Sequence, residues 1–288
     1  MPSEKSLPDL LRRLCELSVE HAYDPHRELE WPDSLPNEGV WMSVDLLSLY
    51  GTDCLEELTK EQLWKLSRYE LANFFSLTVH GIRDLMQQVL SCIYNTGYEA
   101  ESDYFHHFLD EENKHMWFFA EFCKRYAGKI YVTRKMQFPS FAEDDIQTFI
   151  AFAKILISEQ IGDFYNMRMM RDESLPAIVQ KLNRVHHEDE GRHIAMGRRL
   201  VREMYMRISE KYSEQRRREI VEYLRRYMEF FVSSFYNPGV YRDADLDDPY
   251  ELRRTLIRHP ARKKFHRQAL RTTSRFFSIH DLDLEGAM

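Results

Sequence analysis

The chain has 288 residues, 43% hydrophobic and 13% aromatic, enough to fill one large core or two modest ones and far too apolar for a disordered chain. Its 40 basic and 47 acidic side chains leave a net charge of -7, the wrong sign for the basic footprint of a general nucleic-acid binder. No uncharged apolar run approaches the roughly 18 to 20 residues of a membrane span, and the opening MPSEKSLPDLLRRL lacks the apolar stretch of a secretory leader.

In chain order, a short helix is expected over 6–22. The segment 23–58, rich in acids and Trp, reads as an irregular strap over whatever follows. A long helix is predicted over 60–95, opened by the capping-box pair Thr59 and Gln62 and closed at Asn95-Thr96-Gly97. The next runs over 100–127 and stops at Gly128. A third spans 141–171 behind a second capping-box pair, Ser140 and Glu143. A fourth covers 175–209, with Pro176 in its first turn after Ser174, and a fifth covers 214–236. Shorter helices follow at 250–258 and from Pro260. No proline falls between Pro36 and Pro139, Pro139 and Pro176, or Pro176 and Pro238, as long helices require when an interior proline costs about 3 kcal/mol. Nothing alternates like a strand, so the expected class is all-α in one domain, 1–288: a bundle over about 55–236, an N-terminal arm over 1–54 and a basic tail over 250–288. Four cysteines (Cys15, Cys54, Cys92, Cys123) without CxxC spacing point away from disulfides and towards a reducing, cytoplasmic compartment.

Three of these helices carry Glu and His on faces that should be apolar. In FLDEENKHMWFF, Glu112 and His115 share a face with Phe105, Phe108, Phe119 and Phe122. In VHHEDEGRHIAMG, His186, Glu190 and His193 fall at i, i+4 and i+7, a single stripe. In FAKILISEQIGDFY, Glu159 stands within the most apolar helix of the chain. A carboxylate on an apolar face is costly unless something compensates its charge. One Glu-x-x-His is an ordinary surface pair. Two of them 78 residues apart, with a buried-pattern Glu on the helix between, point to carboxylates bridging two hard ions while imidazoles complete each sphere. His187 points about 100° away from His186 and reads as a supporting or surface residue.

These residues resemble the aureothin-pathway type of p-aminobenzoate N-oxygenase. The specific feature is His-x-x-x-Glu-x-x-His, here His186, Glu190 and His193, joined by Glu159 27 residues earlier and by DEENKH with Glu112 and His115. The similarity is read over about 55–235. It implies a ferritin-like bundle with extra terminal helices, two irons (one where the first site is deficient), dioxygen as co-substrate, an external electron donor, a small amine substrate and a homodimer. A carbon hydroxylase on the same centre is an alternative, as is a metal-binding bundle without turnover. The family pattern also has a glutamate on the first long helix, where this chain has LTVHGI over 77–82, with Ile82 at the aligned position. Asp84 and His80 are the nearest substitutes, each about 160° from Ile82 around an ideal helix. Glu70 lies about three turns upstream and reads as structural.

Two other features are read as ordinary structure. Nine Lys/Arg and no acid lie between Leu252 and Arg275, a basic face expected to pair with bundle acids such as Asp243, Asp245, Asp247 and Asp248. Phe230, Phe231, Phe235 and Tyr236 suggest apolar surface beyond what one bundle covers, and so a dimer.

Overall fold

The computed structural model describes residues 6–133 and 136–284; the first five residues of the arm and the last four of the tail lie outside the described residues. The described residues form eleven α-helices and no strand. They are α1 (Leu7–Glu20), α2 (Pro25–Glu28), α3 (Asp53–Glu56), α4 (Lys60–Leu90), α5 (Ser102–Phe122), α6 (Asp144–Met169), α7 (Ala177–Lys211), α8 (Glu214–Ser234), α9 (Pro238–Asp243), α10 (Pro249–Arg258) and α11 (Pro260–Ile279).

The bundle is two long antiparallel pairs, α4 with α5 and α6 with α7, packed against each other. Thr59 opens α4 with both halves of the expected capping box. The second box does not form. Glu143 itself is the residue before α6, and its carboxylate accepts from Arg216 Nε at 3.1 Å, so the side chain binds across helices instead of folding back. α4 stops at Leu90, short of Asn95, and the chain turns through Tyr94 and Gly97, both at positive φ. α5 widens into one π-helical turn, Cys123–Ala127, before Gly128 at φ +70° ends it in the left-handed region that glycine enters freely.

Large rings fill the interior. Phe75, Phe118, Phe119 and Phe122 are fully buried, with ring centroids of Phe75 and Phe119 4.4 Å apart. Each such ring contributes roughly 1.5–3 kcal/mol of burial. Gly197 lets α7 approach α6 closely, since a Cβ there would lie 3.4 Å from Leu156 Cδ1. The strap does cover the bundle: Trp41, Met42, Leu46, Leu47 and Leu49 are buried, and Trp41 N donates to Ser67 Oγ at 3.1 Å.

Two surface expectations are corrected. Two of the four acids expected to pair with the basic tail pair elsewhere: Asp243 with Lys129 at 2.5 Å and Asp245 with Lys65 at 2.7 Å, because both sit over α4 and the segment after α5. Nor do the aromatics at 230–236 form an exposed patch. Tyr236 is buried, and Phe231 and Phe235 turn inward to line a cavity. The cysteines are all free thiols, and no described helix is long and apolar enough to cross a membrane.

Candidate metal centre

Helical period brings the polar residues together. On α5 the buried stripe Phe105, Phe108, Glu112, His115, Phe119, Phe122 advances by three or four residues each step, so Glu112 and His115 enter the core with the rings. The same rule carries His186, Glu190 and His193 inward from α7 and Glu159 inward from α6. All six are buried, Glu159 being the most exposed at 8%.

Their donor atoms converge. One such atom each from Glu112, His115, Glu190 and His193 lie within 4.8 Å of one another. His193 Nδ1 is 2.8 Å from Glu112 Oε1, 3.6 Å from Glu159 Oε2 and 3.7 Å from Glu190 Oε2. His186 Nε2 is 2.7 Å from Glu190 Oε1, and His115 Nδ1 is 3.6 Å from Glu112 Oε1. Five of these atoms are buried without a hydrogen-bond partner: Glu112 Oε1, His115 Nδ1, Glu159 Oε2, Glu190 Oε2 and His193 Nδ1. Leaving a buried polar atom unmade costs about 1–3 kcal/mol, so five around one point form a donor set that divalent cations fit.

The outward sides of the same groups are satisfied, by residues the sequence reading had not singled out. His115 Nε2 is 2.9 Å from Asp189 Oδ2, and His193 Nε2 is 2.8 Å from Glu111 Oε2. Arg192 ties the two carboxylates together, donating to Glu111 Oε1 at 2.6 Å and to Asp189. Each carboxylate thereby fixes a proton on Nε2 and leaves Nδ1 facing the centre. Asp189 and Arg192, three apart beside the α7 stripe, and Glu111 next to Glu112, were the available signal. His186 Nδ1 lies 2.6 Å from the Asn166 amide nitrogen, while Asn166 Oδ1 is buried and partnerless. For His186 Nε2 to hold an ion, Nδ1 would carry the proton, with Asn166 Oδ1 as its acceptor.

Proton affinities reflect the crowding. Burial, then the charge of Glu190, pushes the Glu159 carboxyl well above the usual range. Burial works against charging His115, but the hydrogen bond to Asp189 and the nearby Glu112 outweigh it and lift its pKa to about 10. Burial and the neighbouring His115 hold His186 down to about 3, a neutral imidazole. Asp189, despite burial, is drawn down to about 2 by His115.

A cavity of about 50 Å3 opens on the centre, lined by Glu112, Glu159, His186 and Glu190 and by apolar groups that include Phe74, Leu77, Ile82, Phe231 and Phe235. Its remaining hydroxyls, Thr78 and Ser158, donate to carbonyls of their own helices. Neither proposed substitute for the α4 glutamate reaches it. Asp84 is exposed and pairs with Arg83 at 2.9 Å, and His80 Nε2 sits 2.9 Å from Tyr131 O. Both lie about 160° from Ile82, and α4 continues through this turn without the distortion that would bring either round. His187 pairs with Asp163, away from the centre.

The family profile described as P-aminobenzoate N-oxygenase AurF matches residues 4–281, so the likeness extends beyond 55–235 to nearly the whole arm and tail. No curated protein matches the chain. Among solved structures, a tyrosine-to-phenylalanine variant of an R2-like ligand-binding oxidase with an aerobically reconstituted Mn/Fe cofactor is 14% identical, with TM-score 0.53 over 90% of this chain and 93% of that one. A valine-to-isoleucine variant gives 14% and 0.53 over 93% and 95%. At that identity the likeness is one of fold, a ferritin-like all-α bundle. With the profile spanning 4–281 and a carboxylate–imidazole cluster at its heart, the chain belongs to the p-aminobenzoate N-oxygenase AurF family, dioxygen-dependent oxygenases with a di-metal centre.

Proposed function

We propose that this chain N-oxygenates a small amine with dioxygen, using two irons held by Glu112, His115, Glu159, His186, Glu190 and His193. The observation that carries the metal part is the convergence of five buried, partnerless donor atoms on one point. The nitrogen part rests on the family's described activity. Bound iron supplies the activation of dioxygen.

In this reading Glu112 and Glu190 are shared, His115 serves one ion, and Glu159, His186 and His193 serve the other. Asp189 and Glu111 keep a proton on Nε2 of His115 and of His193, so that Nδ1 faces the ions. Phe74, Phe231 and Phe235 would make the approach to the carboxylates apolar and keep water from it. Converting a primary amine to a hydroxylamine places one oxygen atom on nitrogen and sends the other to water, with two electrons and two protons consumed. An external electron donor, here an electron-transfer partner, is therefore part of the proposal. A homodimer and a cytoplasmic location accompany it from the family.

The test is iron-loaded protein supplied with a reductant, heavy-isotope dioxygen and a panel of aromatic amines. Mass spectrometry should find the label on nitrogen. Label on carbon would replace this reading with a carbon hydroxylase, and bound iron without oxygen uptake would leave a metal-binding bundle without turnover.

A further inference from the structure

Carboxylate bundles that hold two ions draw one Glu from each of two helices and a Glu-x-x-His from each of the other two. Here α5 brings Glu112 and His115, α7 brings Glu190 and His193 with the additional His186, and α6 brings Glu159. α4 brings no ligand. The face it turns to the cavity is Leu77, Thr78, Gly81 and Ile82, and Thr78 spends its hydroxyl on Phe74 O at 3.1 Å. The acids and imidazole nearest on α4 are committed elsewhere: Asp84 to Arg83, His80 to Tyr131 O, and Glu70 to Ser48.

The donors are therefore divided unequally. With Glu112 and Glu190 shared, α6 and α7 bring three further donors, Glu159, His186 and His193, while α5 and α4 bring only His115, whose Nδ1 stands 3.6 Å from Glu112 and 4.0 Å from Glu190. The position where a fourth carboxylate would close it is Ile82, 3% exposed and lining the same cavity as Glu112, Glu159 and Glu190.

We propose that the two metal positions differ in kind: Glu159, His186 and His193 would hold one ion tightly, and His115, with no donor from α4 because Ile82 stands there, would hold the other weakly and exchangeably. This rests on the reading of the centre as a metal site. Metal affinity follows ligand number and charge, and losing even an outer partner of a ligand lowers it 10- to 100-fold, so a missing carboxylate separates the two sites by at least about tenfold.

The experiment is an equilibrium titration of metal-free full-length protein with Mn(II), free ion being counted by electron paramagnetic resonance, with circular dichroism checking the helices of each variant. The expected result is one ion bound first, with the spectrum of an isolated Mn(II), and a second bound at least tenfold more weakly, with the spectrum of a coupled pair. His115→Ala should remove only the second ion and His186→Ala should weaken the first. Ile82→Glu should raise the affinity of the second at least tenfold. Two ions of equal affinity in the unsubstituted protein, or His115→Ala and His186→Ala weakening the same ion, would overturn the proposal and leave the metal centre standing. No Mn(II) bound at all would overturn both. Should Ile82→Glu fail to fold, the unsubstituted protein and the two histidine variants decide the matter.

Discussion

Phe235 stands between two buried ionisable clusters that look alike by composition and differ in how their atoms are matched. On one side of the ring is the cavity with Glu112, Glu159, His186 and Glu190. On the other is a space of about 10 Å3, little more than one water, edged by Ser48, Glu70, Tyr236, Arg262 and His266. Each of these five side chains has a hydrogen-bond partner. Glu70 accepts from Ser48 N at 2.8 Å and from Ser48 Oγ, and Tyr241 donates to that hydroxyl at 2.9 Å. Arg262 Nε donates to Tyr236 Oη at 3.0 Å, Arg262 Nη1 donates to Tyr50 O at 3.1 Å, and the Tyr236 hydroxyl meets His266 Nε2. No atom of these residues is buried unpaired, whereas the first cluster has five that are. Burial and charge are common to both. What separates a structural knot from a binding site is whether the donors and acceptors are spent on each other.

Breaking the matched cluster should give the largest effect, and on stability alone. Arg262 is fully buried and ties α11 to the strap and to the end of α8. Arg262→Ala leaves the Tyr50 carbonyl and the Tyr236 hydroxyl short of a donor and Glu70 without a nearby cation, a loss of about 3–5 kcal/mol. Urea unfolding would measure it, and the amount of metal bound per folded chain should not change.

The unmatched cluster should respond the other way round. Glu159→Gln removes one metal-facing carboxylate, and metal affinity should fall about 100-fold. Without metal, burial and the charge of Glu190 already disfavour the ionised Glu159 carboxyl, so the neutral amide should cost metal-free protein little melting temperature. Calorimetry with and without a chelator separates the two effects, because an ion bound only to the native state stabilises it. A Glu159→Gln variant that lost stability without metal would move this cluster into the same category as the other.

A milder change tests the layer behind the ligands. Asp189→Asn can still accept from His115 Nε2 but no longer balances Arg192 or the charge on the imidazole. Metal affinity should drop about tenfold, at the lower end of what outer partners contribute. Isothermal titration with Mn(II) would show it.

How much of this the sequence disclosed depends on range. Helices, their proline-free spans and the inward stripe of Glu112, His115, His186, Glu190 and His193 follow from a period of 3.6, a local property. Capping failed at Ser140–Glu143 because Arg216, 73 residues away, claims the carboxylate. The pairing of Asp243 and Asp245 with Lys129 and Lys65 is equally non-local. Phe231 and Phe235 looked like surface because α8 carries polar residues around them, and only the position of α6 and α4 shows that they wall the cavity. Glu70 is followed by the apolar run Leu71–Leu77, broken only by Asn73 and Ser76, so like Glu159 it is an acid beside an apolar stretch, set apart in the sequence only by its distance from the ligand register. Nothing local distinguishes the carboxylate that the strap's Ser48 satisfies from the one left facing the centre.

The last comparison between those two carboxylates is in pH. Burial raises the Glu70 carboxyl to about 7, against the pull of its Ser48 hydrogen bonds and of Arg262. A folded pKa above the unfolded value means the native state holds the proton more tightly, so the group's contribution is complete below about pH 4.5 and is lost as pH rises through about 7. Between pH 6 and 8 the remaining loss is about 1 kcal/mol, from about 1.4 kcal/mol per pKa unit and the fraction still protonated at pH 6. His115 loses stability in the same direction above pH 6.5, its folded value being about 10, so the total slope cannot be assigned to Glu70 alone. Glu70→Gln removes one titration and leaves the other. The difference in unfolding free energy between the two proteins should therefore shift by about 1 kcal/mol in favour of the variant from pH 6 to pH 8. A difference that stays flat over that range would mean that Ser48 and Arg262 hold Glu70 ionised throughout, anchored as an anion where burial and Glu190 push Glu159 towards its acid form.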